Sequence, residues 1–78
     1  MNRKDRRRQA IREHIREHPG TRPDDVCTGV ILDGAVDCTR NFLALASLVR
    51  RGEVVIVAQV GASCGCVLPE GQRRKQEG

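Results

Sequence analysis

The chain has one phenylalanine, no tyrosine and no tryptophan among its 78 residues. Its interior must therefore be built from Val, Leu, Ile and Ala, with four cysteines available as small apolar filler. A chain this short makes one domain, near the lower limit at which a single apolar core holds a fold without staples. No run approaches the roughly 20 apolar residues of a membrane span. The chain opens on charged residues rather than an apolar leader. A cytoplasmic protein without membrane contact is expected, its thiols reduced. Also missing are a glycine-rich phosphate loop, a nucleophile elbow and a paired acid and base. With little room for a substrate pocket, neither an enzyme nor a bound cofactor is expected.

What is present in excess is positive charge, and it is unevenly spread. The net charge is +4. Residues 1–8 alone hold Arg3, Lys4, Arg6, Arg7 and Arg8 against Asp5, whereas residues 9–69 carry six basic and seven acidic side chains. The excess thus sits at the ends, where Arg73, Arg74 and Lys75 mark the other basic cluster. This suggests a basic arm over 1–8, a nearly neutral folded body over 9–71 and a basic tail over 72–78. Basic ends on a neutral body suit a polyanion, and nucleic acid is the usual one.

Periodicity orders the body. "RRRQAIREHIREHPG" spaces Ala10, Ile11, Ile15 and His18 as one helical face and stops at Pro19 and Gly20, predicting a first helix over about residues 4–18. "TRPDDVCTGVIL" starts a short second helix at Pro23, with Asp24 and Asp25 suited to its positive end and Val26, Cys27, Val30 and Ile31 along one face. Asp33 and Gly34 then signal a turn and Asp37 an N-cap. A third helix follows, with Phe42, Leu45, Leu48 and Val49 as the expected buried stripe and Gly52 as its stop. "EVVIVAQV" and "CGCVLP" read as two strands joined by "GAS".

Three helices followed by a two-stranded β-hairpin wing form an α+β, winged helix-turn-helix order. With "LASLVRRGEVVIV", in which Leu45, Leu48 and Gly52 close a helix onto a first wing strand, residues 8–69 resemble the small winged-helix DNA-binding domains of bacterial and phage transcription regulators. There are two departures: "LDGAVD" is longer than the tight turn of the two-helix motif, and "GAS" lacks a wing-tip Arg or Lys. The resemblance implies sequence-specific binding of double-stranded DNA, with helix 3 in the major groove and the wing and basic tails on the backbone. Counted from Asp37, the outward face would carry Thr39, Arg40, Asn41, Ala44 and Ser47, types that bond guanine or adenine edges or lie against a thymine methyl. Arg50, Arg51, Thr21, Arg22, Arg73, Arg74 and Lys75 would meet phosphates, with helix-dipole and capping roles as the competing readings of the first three. A homodimer on a two-fold site is compatible with this plan.

The cysteines offer a rival. Cys27, Cys38, Cys64 and Cys66 supply enough thiols for a metal- or redox-responsive regulator, but none of their spacings forms a zinc knuckle. Cys64 and Cys66, two apart on a strand, would share one face and pack as core filler. His14 and His18 share a helical face without a carboxylate motif beside them, so no metal site is expected. The remaining alternative is a winged-helix module whose third helix meets a protein.

Overall fold

In the computed structural model, residues 2–59 and 62–69 are described. Three helices, α1 (Arg3–Glu17), α2 (Pro23–Gly29) and α3 (Cys38–Arg50), precede two strands, β1 (Val55–Gln59) and β2 (Ala62–Val67). The strands pair antiparallel, with Val55 opposite Val67, Ile56 opposite Cys66 and Val57 opposite Gly65. This is the α+β, winged-helix layout expected from the order of elements. Arg73, Arg74 and Lys75 lie outside the described residues.

Each helix is closed by local chemistry. Asn2 caps α1, its side-chain oxygen accepting from the Asp5 amide at 2.8 Å. α2 opens on Pro23, whose missing N–H costs nothing in a first turn. The Asp37 carboxylate accepts from the Arg40 amide at 3.0 Å and caps α3. At its other end Gly52 has φ 77°, its amide donates to Val49 O, and the Glu53 amide donates to Leu48 O. Those two bonds are the Schellman closure, and they turn the chain directly into the wing.

The longer link between α2 and α3 has a physical explanation. Leu32 and Ala35 exchange both backbone hydrogen bonds, at 2.9 and 3.1 Å, across Asp33 (φ 54°) and Gly34 (φ 77°). Two consecutive positive φ angles are the signature of a type I′ turn, for which Asp-Gly is a preferred pair. The two-helix motif here carries a miniature hairpin as its turn.

Three expectations change. Residues 3–8, set apart on charge as a basic arm, form the first turns of α1, continuous with the helix expected from about residue 4. Ala62 and Ser63, expected in the wing loop, belong to β2. Thr21 neither caps nor starts α2: Arg22 holds the N-cap position without a side-chain cap bond. Instead the Thr21 carbonyl accepts from the Cys66 amide at 2.7 Å, and the Gly20 amide donates to the Cys66 carbonyl at 2.9 Å. The segment between α1 and α2 thereby adds a one-residue third strand to the free edge of β2 and anchors the wing to the helices.

The core lies where the three helices meet the sheet: Ile11 and Ile15 of α1, Val26 and Val30 at α2, Leu45 and Leu48 of α3, then Val54 and Cys66. Cys66 is fully buried, as core filler should be; the Cys64 side chain lies outside the described residues. His14 presses on α2 at Gly29, where an added Cβ would stand 3.1 Å from the imidazole. Any side chain there would require the imidazole to give by a few tenths of an ångström.

Candidate functional site

The buried face of α3 keeps Leu45 and Leu48 as expected but shifts from Phe42 toward Asn41. Its buried positions are Asn41, Leu45 and Leu48, while Phe42, expected in the core, is 56% exposed. Asn41, expected to read bases, is 0% exposed. Its amide nitrogen donates to the carbonyls of Cys27 at 2.9 Å and Val30 at 3.1 Å. Both carbonyls belong to the end of α2, which has no further turn to accept from. A side-chain amide is suited to this place because one NH2 group serves two orphan carbonyls. The Asn41 oxygen then accepts from Arg7 Nη1 at 2.7 Å, tying α1 to the same point. Asn41 is therefore a structural tie among three helices, and base contact by this residue is excluded.

The exposed part of α3 borders a groove of about 730 Å³ between that helix and the start of α1. α1 contributes Arg3, Lys4, Arg7 and Arg8; α3 contributes Arg40, Leu43, Ala44 and Ser47; Leu32 and Asp33 close the end at the turn. Five cations thus face one carboxylate. The helix gathers them because positions 3, 4, 7 and 8 repeat at helical spacing and share one face.

The cations differ in how far their charge is compensated. Arg8 is paired with Asp5, and this contact draws the Asp5 carboxyl below the usual range. Arg6, outside the groove lining, bonds Asp33 at 3.0 Å. Arg40 Nε stands 3.4 Å from Asp37. Outside the groove lining, Glu53 takes Arg12 at 2.8 Å and Arg51 at 2.9 Å. Among the described residues, Arg3 and Lys4 have no carboxylate partner. The exposed pairs among these, such as Arg6–Asp33 and Arg40–Asp37, are worth little to stability.

Of the residues expected to meet DNA, Arg40, Ala44 and Ser47 line the groove, and Thr39 is exposed one residue before Arg40. Arg50 is exposed in the last turn of α3, and Arg51 caps the helix while bonded to Glu53. Arg22 is exposed and Thr21 half-buried; neither lines the groove. Sequence reasoning missed Leu43, 60% exposed and in the groove wall. The helix expected from about residue 4 already puts Lys4, Arg7 and Arg8 on one face, a cationic stripe that the charge-based division into arm and body leaves out.

The thiols are distributed rather than gathered. Cys27 is half-buried, Cys38 exposed and Cys66 buried. Burial raises the Cys27 pKa above the ordinary thiol value, followed by repulsion from Cys38 and Asp24. The imidazoles of His14 and His18 lie with ring centroids 4.9 Å apart. Among the described residues no three His, Cys, Asp or Glu side chains come together as metal ligands, and no helix is long and apolar enough to cross a membrane. Searches of protein-family models, curated proteins and solved structures return no match for the chain.

Proposed function

We propose that this protein binds double-stranded DNA, with α3 entering the major groove and the α1 cations seated on the flanking phosphates. The observation that carries the reading is the groove itself, in which five cations face one carboxylate beside the exposed side of α3. The division of labour follows from placement. Thr39, Arg40 and Arg50 are exposed on α3 and suited to base edges or sugar-phosphate, and Leu43 and Ala44 offer apolar surface to thymine methyls. Arg3, Lys4, Arg7 and Arg8 supply charge without reading sequence. Such a protein regulates transcription in a phage or bacterial cytoplasm by occupying its site.

The test is binding of a labelled duplex across a salt series. Four phosphate contacts from α1 predict a log–log slope of about −3.6, at about 0.9 per contact. Converting Arg3 and Lys4 to Glu should weaken all sequences alike, whereas Arg40→Ala should flatten the difference between preferred and scrambled duplexes. Salt-independent or absent binding at low salt would sink the proposal.

A second reading has its own observation. Ile31, Val36, Phe42 and Leu43 are all exposed, between 43% and 65%, along the turn and the outer side of α3. Four large exposed apolar residues at and beside α3 suit a protein partner or a second copy of the chain. Light scattering at rising concentration, with Phe42→Ser as the comparison, reports on that face separately from DNA.

A further inference from the structure

We infer that Arg7 is a pre-set phosphate anchor, its guanidinium held by the buried side chain of Asn41, which makes Asn41 a positioning residue for anion binding as well as a tie between helices. The inference deepens the polyanion reading of the groove and rests on it only for the source of the phosphate.

Two requirements make a cation a good fixed anion site: it must be held in place, and its charge must not be spent on whatever holds it. The groove's cations divide on this point. Arg8 is held, but by the carboxylate of Asp5. Arg40 lies beside the carboxylate of Asp37. Arg3 and Lys4 are exposed, and no described residue holds them. Arg7 alone among these five is held by a neutral group, the Asn41 oxygen at 2.7 Å, and it is half-buried. One of its five N–H donors is used there; the full positive charge and the other donors remain for the groove that Arg7 lines.

The orientation of Asn41 is itself determined. Its nitrogen must face the two α2 carbonyls, which can only accept, so its oxygen must face Arg7. Reversing the amide would set an oxygen against two carbonyl oxygens and an NH2 against a guanidinium. The α2 terminus thereby sets the Arg7 fork through one side chain. A planar fork with free parallel N–H groups matches the oxygens of a phosphate, a geometry lysine cannot reproduce. Because the side chain is already ordered, binding loses less rotamer freedom than it would at Arg3.

The experiment uses the full chain, following the arginine Nε–Hε and Nη resonances by NMR. Before any anion is added, rotation of the Arg7 guanidinium should be slowed relative to that of Arg3. Inorganic phosphate should then shift the Arg7 signal more than the Arg3 signal, and a duplex should shift it further. Arg7→Lys, which keeps the charge, should weaken duplex binding by about five-fold or more, whereas Arg3→Lys should change it by less than about two-fold. An Arg7 group as mobile as that of Arg3, equal phosphate shifts at the two sites, or wild-type affinity in Arg7→Lys would each overturn the inference. A wild-type chain in which phosphate shifts Arg7 but duplex binds no tighter than free phosphate would support the anchor and defeat the DNA reading.

Discussion

Replacing Asn41 with Leu should destabilise the domain by about 2–3 kcal/mol, and the structure shows why the loss is this large. Leucine fills the same space, so water cannot move in to take over the amide's bonds. It cannot donate. The two acceptors are main-chain carbonyls, Cys27 O and Val30 O, which the mutation cannot remove. A buried acceptor left alone costs about 1–3 kcal/mol, and the part-buried Cys27 carbonyl sits at the low end of that range. Extra apolar burial by leucine offsets up to about 1 kcal/mol. Arg7 loses its acceptor but lines an open groove, where water can replace it. Against a total of about 4–12 kcal/mol for a domain of this length, the change is severe. It should lower Tm by roughly 10–20 °C. The assay is urea unfolding followed by far-ultraviolet circular dichroism, which should show a lower midpoint at unchanged slope. A Leu variant within about 0.5 kcal/mol of wild type would refute the reasoning. It would mean that the end of α2 is solvated and that Asn41 ties nothing.

Further outcomes follow from the same placements. Phe42→Ser, at an exposed site, should leave stability within about 0.5 kcal/mol of wild type, whereas a core phenylalanine would cost about 3–5 kcal/mol on truncation; chemical denaturation separates the two. Gly52→Ala should cost about 1–2 kcal/mol, because φ is 77° there. A new Cβ at Gly52 meets nothing else within 4 Å, so that penalty comes from the local backbone conformation alone. Thiol labelling of the folded chain, resolved residue by residue by mass spectrometry, should modify Cys38 first and Cys27 later, with Cys66 reacting only on unfolding; early labelling of Cys66 would contradict its place in the core.

The order of elements was legible in the sequence because it depends on local chemistry. Asp37 as a cap, Pro23 in a first turn, Asp33-Gly34 as a reversal and Gly52 as a stop act within a few residues of themselves, and each acts so in the structure. Leu45 and Leu48 are buried as their spacing predicts. Tertiary structure decided which of two adjacent faces of α3 turned inward. Phe42-Leu45-Val49 and Asn41-Leu45-Leu48 are both valid helical stripes, and apolarity favours the first. The second prevails because α2 ends with carbonyls that need a donor, and Asn41 is the residue of α3 that meets them. A demand made by another helix's terminus leaves no mark on the periodicity of α3. The same holds for Thr21, whose backbone pairing with Cys66 joins residues 45 apart, and for the groove, where a stripe of cations visible on α1 gains its meaning only when α3 lies beside it. Local propensity set the elements; the faces they present were set by which polar groups had to be satisfied once the elements packed.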